Sequence, residues 1–317
     1  MTTVVPSPDP QLKGFFGTAV SLSADGQTAL IGSLQSRAYV FVRQGDGWSL
    51  SARLPAAGAG AMDFGETVAL SADGMVAAVS APGESACLQL GQPVPCGTVH
   101  VYVRTGGNWV ERALLTPPYF FDFELNFGVA MALSADGSTL LIGRSDDDCV
   151  TQPCRGAVFD YERTGDDWVF TATLKGSNPL VQRFGGDVSL TPDGSTALIG
   201  ASDTPCGAGE HCGEAYLFTR SGGSWTESAR LLPAVQRAEA YFGFSVGLSA
   251  DGSSALVGAP QLTLGSGPAF VSAFQQTSGV WTELQEIPGG PVGDAFGLYL
   301  RIAADGQSAL VGAPWTS

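Results

Sequence analysis

The groups in this chain that could carry chemistry are few: two histidines, six cysteines, and 30 carboxylates against 15 cations. The cysteines come as close pairs, Cys87 with Cys96, Cys149 with Cys154 and Cys206 with Cys212. Each pair falls within a single connection, so the spacing favours three disulfides that each close their own loop. A zinc cage lacks ligands, because no C-x-x-C occurs and His211 is the one histidine beside a pair. Such short closures contribute about 2 to 3 kcal/mol in the chain-entropy model. They imply an oxidising compartment, extracellular or periplasmic, although the first residues, MTTVVPSPDP, lack the basic and apolar regions of a signal peptide.

Nucleophilic catalysis finds no support. Gly243-Phe244-Ser245-Val246-Gly247 satisfies G-x-S-x-G, but a nucleophile elbow needs a strand-to-helix turn, and this stretch reads as a strand. Other repeats hold Ala19, Thr67, Ala130, Asp187 and Tyr299 at the Ser245 position. His100 stands where Tyr39, Phe159 and Tyr216 stand elsewhere, so it reads as a packing residue, and His211 reads as exposed on its loop. With no base beside a Ser or Cys, the expected catalytic set is empty.

The elements that position these residues follow from a repeat. Phe-Gly recurs at Phe16, Phe64, Phe127, Phe184, Phe242 and Phe296, about 56 residues apart on average, with starts near 15, 63, 126, 183, 241 and 295. Five of the six repeats go on to a Trp (Trp48, Trp109, Trp168, Trp225, Trp281). Each unit reads as four short strands. In the first, TAVSLS turns at Ala24-Asp25-Gly26 into a returning strand, then RAYVFVR turns at QGDG into a strand from Trp48. Asp favours such a turn and Gly takes its positive φ. The expectation is an all-β, six-bladed β-propeller of four-stranded antiparallel blades, one domain over residues 1–317. The last repeat stops after two strands, and TVVP at residues 3–6 matches the close of a fourth strand. The sixth blade is therefore either incomplete or closed by the N-terminal strand, and an open edge there allows self-association.

Phe-Gly, a hairpin, Gly258-Ala259-Pro260 or Gly312-Ala313-Pro314, and then a V-x-V-F strand resemble the FG-GAP repeat of integrin α-chain propellers, and more closely its bacterial extracellular variant with ALSADG-x-x-ALIGAP. The resemblance implies a propeller that serves adhesion or ligand binding. One departure matters. Calcium-holding repeats of that family carry several acids in the first hairpin, whereas this chain offers one per turn: Asp25, Asp73, Asp136, Asp193, Asp251 or Asp305. Ca²⁺ takes six to eight oxygens, so these acids read as turn formers, with no metal and no cofactor expected.

A net charge of -15 with two lysines, Lys13 and Lys175, would repel a phosphate backbone and argues against nucleic acid and anionic membranes as partners. No apolar run is long enough to span a bilayer. The Asp-Gly turns are uniform, while the cysteine loops and the connections into Phe-Gly vary, so a ligand is expected on the face carrying those loops. The most deviant connection is Tyr119-Phe120-Phe121-Asp122-Phe123-Glu124, whose aromatics and acids either bind a ligand or cap the channel. Arg144 and Asp146-Asp147-Asp148 deviate next, followed by Asp187 and Arg301 on first strands. The expected function is an extracellular binding or adhesion propeller whose ligand is a protein, carbohydrate or small molecule. The alternative is an enzyme of lyase or cyclase type at the channel mouth of that face.

Overall fold

The Asp-Gly turn is built alike in the first five repeats, and the sixth, with Ala303 in place of the hydroxyl residue, keeps its backbone part. Ser23 Oγ donates to Asp25 Oδ1 (2.6 Å), the same oxygen accepts the Gln27 amide (2.9 Å), and Ser23 Oγ accepts the Thr28 amide (2.9 Å). Ser71 with Asp73, Ser134 with Asp136, Thr191 with Asp193 and Ser249 with Asp251 repeat the first bond, and Asp305 accepts the Gln307 amide. Successive turns also bond to each other, Ala24 to Ala72, Ala72 to Ala135 and Ala250 to Ala304, at 2.8 to 2.9 Å. A local Ser-x-Asp-Gly motif thus fixes both a hairpin and its spacing from the next one.

The computed structural model describes residues 4–10, 15–33, 37–55, 63–84, 87–89, 92–94, 96–118, 126–145, 155–207, 211–262, 267–290 and 293–315. The first blade comprises β1 (Phe16–Leu22), β2 (Thr28–Ser33), β3 (Arg37–Gln44) and β4 (Gly47–Pro55). The second has β5 (Val68–Leu70) and β6 (Val76–Ala81), an inserted hairpin of β7 (Cys87–Gln89) and β8 (Gln92–Val94), then β9 (Thr98–Thr105) and β10 (Asn108–Leu115). The third has β11 (Phe127–Leu133), β12 (Thr139–Arg144), β13 (Ala157–Thr164) and β14 (Asp167–Leu174). The fourth has β15 (Phe184–Leu190), β16 (Thr196–Ala201), β17 (Glu214–Ser221) and β18 (Ser224–Leu231). The fifth has β19 (Ser245–Leu248), β20 (Ser254–Ala259), β21 (Phe270–Thr277) and β22 (Val280–Pro288), and β23 (Leu300–Ile302) and β24 (Ala309–Val311) form a two-stranded sixth sheet. Neighbouring strands in the first, second, fourth and fifth sheets pair antiparallel, in the order expected of up-and-down blades.

Burial explains the strand sequences. Second strands such as TALIGS and VAAVSA are buried at every position, which is why they read as unbroken apolar runs. Outer strands such as β10 and β18 alternate exposed and half-buried positions with the period of two that one solvated face requires. Phe64, Phe127, Phe184 and Phe242 are 0% exposed. The glycine that follows each of them holds φ between 89° and 97°, and a Cβ on Gly65 would stand 2.7 Å from the Arg37 carbonyl oxygen. Phe-Gly therefore packs each repeat against the third strand of the one before it. In three repeats the residue three after Phe bridges onward: Thr67 donates to the Val129 carbonyl (3.0 Å), Asp187 accepts the Val246 amide (2.8 Å) and Ser245 donates to the Gly297 carbonyl (2.6 Å).

The chain divides into two compact units, residues 1–142 with 160–171, and residues 143–159 with 172–317. In the first unit, residues 4–10 form no strand. Asp9 ties this segment to the first blade by accepting the Tyr39 hydroxyl (2.9 Å) and by ion pairs with Arg53 (3.4 Å) and Arg37 (3.8 Å). The closing N-terminal strand expected from TVVP is thus not found among the described residues, and polar side chains rather than ladder hydrogen bonds hold the segment. In the second unit the sixth sheet has two strands among the described residues, with β24 exposed where second strands of other repeats are buried.

Candidate functional site

In the second unit, four loops at one end of the fourth and fifth blades touch in sequence. They are the connections from β14 to β15, β16 to β17, β18 to β19 and β20 to β21. Arg183 on the first lies 3.7 Å from Asp203 on the second, and Asp203 lies 3.6 Å from Nδ1 of His211 further along the same loop. His211 stacks on Tyr241 of the third loop, with centroids 5.2 Å apart and 13° between the rings. The Tyr241 hydroxyl donates to Glu239 (3.2 Å), and the Gln261 amide of the fourth loop donates to the Ala240 carbonyl (3.4 Å). The Cys206–Cys212 disulfide, Cα atoms 5.8 Å apart, closes the loop that carries His211.

The backbone here is strained in a way the repeat partly explains. Asp63, Asn126, Arg183, Tyr241 and Ala295, each directly before Phe-Gly, all hold positive φ, from 52° to 82°. That conformation suits Asp and Asn and disfavours bulkier residues. Arg183 and Tyr241 are therefore costly choices at a position that the fold dictates. His211, Glu239 and Gln261 add three more positive φ values, 52°, 59° and 48°; the place of Glu239 before Phe-Gly is taken in the last repeat by Gly293, at 93°. Strain of this kind persists only where surrounding contacts hold it, and it gathers at ligand-contacting sites.

The electrostatics are those of a half-buried polar patch. Burial, together with the Glu239 charge, pushes the Tyr241 phenol up to about 12, so it stays a neutral donor. Asp203 and His211 stop at 3.6 Å, beyond hydrogen-bond reach. Gln261 is 3% exposed, and neither its side-chain oxygen nor its nitrogen has a hydrogen-bond partner among the described residues. The same loops expose Leu180 and Val235, each at 59%. Acids, a stacked ring pair, a buried amide and flanking aliphatics suit recognition of hydroxyl, amide or cationic groups. They do not assemble a nucleophile with its base.

Other residues singled out by the sequence fall elsewhere. Tyr119, Phe120, Phe121, Asp122, Phe123, Glu124, Asp146, Asp147, Asp148, Cys149 and Cys154 lie outside the described residues. Arg144 is 6% exposed, with its guanidinium 5.7 Å from the Phe159 ring centroid. Cys96 is disulfide-bonded, and the side chain of Cys87, its expected partner, also lies outside the described residues. Ser245 is 3% exposed and its hydroxyl is engaged by Gly297, so the G-x-S-x-G stretch is structural. Asp187 accepts the Val188 amide (3.0 Å) as well as that of Val246. Burial raises its carboxyl above the usual range, and the Arg301 charge opposes the shift. Among the described residues, no three His, Cys, Asp or Glu stand together as metal ligands.

Two histidine readings need correction. His211 is half-buried against Tyr241 rather than simply exposed. His100 does pack, with the Phe64 ring edge-on at 5.1 Å, but both its nitrogens also meet carboxylates, Glu84 at 2.9 Å and Glu111 at 2.8 Å. Aligning repeats could not reveal those partners, since one comes from a variable loop and the other from an outer strand. Arg183 and Tyr241 did leave a sequence signal: they are bulky residues at the position before Phe-Gly, where Asp63 and Asn126 suit the positive φ.

The FG-GAP repeat family matches residues 225–271, a stretch holding Phe242-Gly243 together with Glu239, Tyr241 and Gln261. That stretch is an FG-GAP repeat. No curated protein matches the chain in sequence. Among solved structures, the β-propeller domain of Cps50 (Swd1) from Myceliophteria thermophila is similar, with a TM-score of 0.58 at 12% identity over 94% of this chain and 77% of that one. The fold is a β-propeller, and at that identity the likeness extends to fold alone.

Proposed function

We propose that this FG-GAP-type propeller is an extracellular ligand-binding or adhesion module, with its ligand on the loops that carry the disulfides. The observation behind this reading is the convergence of four loops on Arg183, Asp203, His211, Glu239, Tyr241 and Gln261, at the end of the blades where the repeat varies. The uniform Asp-Gly turns at the opposite end use their side chains to build hairpins. The Cys206–Cys212 disulfide favours the oxidising compartment. By position in the chain, Tyr119 to Glu124 precede β11 as Glu239 and Tyr241 precede β19, and Arg144 ends β12 with Asp146 to Asp148 following it as Asp203 follows β16. They are candidate ligand contacts by that position.

The test is binding of the labelled, disulfide-intact protein to a printed array of glycans and extracellular-matrix peptides. Signals should be lost in Arg183→Ala and Tyr241→Ala and kept in Asn108→Ala, which changes the exposed first residue of β10 at the opposite end of a blade. A signal that survives both loop variants places the ligand elsewhere.

A further inference from the structure

A buried slot on the third strand recurs in the blades with different chemistry. In the first blade it holds Tyr39, whose hydroxyl donates to Asp9. In the fourth it holds Tyr216, whose hydroxyl donates to Glu214. Both are phenols facing one carboxylate, and burial raises each phenol further from neutrality. In the second blade the slot holds His100, 0% exposed, between two carboxylates. Nδ1 meets Glu111 on β10 at 2.8 Å, and Nε2 meets Glu84, in the loop after β6, at 2.9 Å.

We propose that Glu84, His100 and Glu111 form a pH-operated latch, which holds Glu84 and the backbone bonded to it against the second blade while the imidazole carries both protons, and releases Glu84 when one is lost. The reason is hydrogen-bond accounting. Ionised carboxylates only accept, so two of them facing one ring require N–H on both nitrogens. A neutral ring satisfies one and points a lone pair at the other. Among the described residues His100 is the one donor to Glu111, whereas Thr98 Oγ1 also donates to Glu84. That hydroxyl lies 3.3 Å from Nε2 and can turn to it. The neutral ring therefore keeps Nδ1–H on Glu111, accepts from Thr98, and leaves Glu84 without a donor.

What Glu84 holds is the base of the cysteine loop. Its carbonyl accepts the amides of Cys96 (3.1 Å) and Gly97 (3.2 Å). Among the described residues, the groups facing His100 are Glu84, Glu111, Thr98, the Phe64 ring edge, Val79, its partner on β6, and Leu114, its partner on β10. The Tyr102 phenol, raised by burial and by the Glu111 and Glu84 charges, is the other titratable group near the two carboxylates among those residues. Burial works against the charged ring, but hydrogen bonds and charge from Glu111 and Glu84 outweigh it and raise His100 above the usual histidine range. With a raised value, the latch is closed at and below ordinary histidine pH and opens as pH rises through the folded value.

The experiment uses the full, disulfide-intact chain. A His211→Gln variant leaves His100 as the sole imidazole, whose titration is followed by NMR, and exchange of the Cys96 and Gly97 amides is measured across the same pH range after correction for intrinsic rates. The ring should titrate above the ordinary histidine value of about 6.5, with loss of protection on the order of tenfold, the factor that one charge-assisted hydrogen bond gives. In Glu111→Gln the new amide donates to neutral Nδ1, Nε2–H stays on Glu84, and protection should persist at high pH. In His100→Tyr, which installs the phenol of the other blades, exchange should be flat with pH. A ring titrating at or below the ordinary value, or exchange with the same pH dependence in Glu111→Gln or His100→Tyr as in the parent, overturns the latch.

Discussion

The His211 ring lies parallel to Tyr241, 5.2 Å between centroids, while the Tyr241 amide donates back to the His211 carbonyl at 2.9 Å. Both residues hold positive φ, so the stack and the backbone bond together maintain two strained conformations. Replacing Tyr241 by Asn tests what that strain serves. Asn suits the left-handed region, which relieves about 1 kcal/mol or more, while the lost ring contact costs about 0.5 to 1.5 kcal/mol. The expected result is a stability change within about 1 kcal/mol by urea unfolding, with ligand capture on the array abolished. A variant that keeps full capture removes Tyr241 from the site.

Most of the architecture was legible in the sequence because its determinants are local. Ser-x-Asp-Gly closes its hairpin through side chains within five residues, and Phe-Gly needs only one buried ring and one positive φ. The inserted β7–β8 hairpin was not legible: it is three residues per strand and includes Pro93, which reads as a breaker. The loop site was harder still. Arg183, Asp203, His211, Glu239, Tyr241 and Gln261 come from four connections, and nothing in a single repeat announces that they meet. The same limit applied to His100, whose column in the repeat showed its size and burial but not Glu84 or Glu111.

The cysteines give a direct chemical test. Non-reducing peptide mapping should return Cys206–Cys212 together with Cys87–Cys96 and Cys149–Cys154, and no link between blades. Replacing Cys206 and Cys212 by Ser should cost about 2 kcal/mol, the chain-entropy value for so short a loop, as read by chemical denaturation. A bond joining two of the three loops would contradict the private-pair reading.

Calcium should leave the protein unaffected. The turn acids already accept hydroxyl and amide protons through Oδ1, and a ligand that does not bind the folded state cannot shift its melting temperature. The melt should be unchanged by a chelator within error. A drop of several degrees that calcium restores would point to Asp146, Asp147 and Asp148.

The same turns govern acid stability. Hydrogen bonds from Ser249 and then from the Ser253 amide and hydroxyl hold Asp251 down to about 2, and Asp25, Asp136 and Asp193 are lowered by equivalent bonds. A carboxyl lowered by folding contributes stability that is complete above its unfolded value of about 3.9 and is lost as pH falls through the folded one. Asp251→Asn should therefore lower the urea midpoint at neutral pH and flatten its dependence on pH between about 4 and 2, so that parent and variant converge in acid. A parallel curve for the variant would show that the turn acid carries no proton linkage.

The connection from Tyr119 to Glu124 puts the binding face at risk in one experiment. Rings that contact a ligand contribute to a partner rather than to the core, so Phe120→Ser with Phe121→Ser should abolish array binding and leave the thermal melt in place. Rings that cap the channel would instead be buried, and their removal would forfeit about 1.5 to 3 kcal/mol per side chain. The melt would then fall while binding through Arg183 and Tyr241 persisted. The first result is the expected one, because this connection leads into Phe127-Gly128 as the one carrying Glu239 and Tyr241 leads into Phe242-Gly243. A destabilised variant that still binds would remove these aromatics from the site and leave the four loops of the fourth and fifth blades as its whole extent.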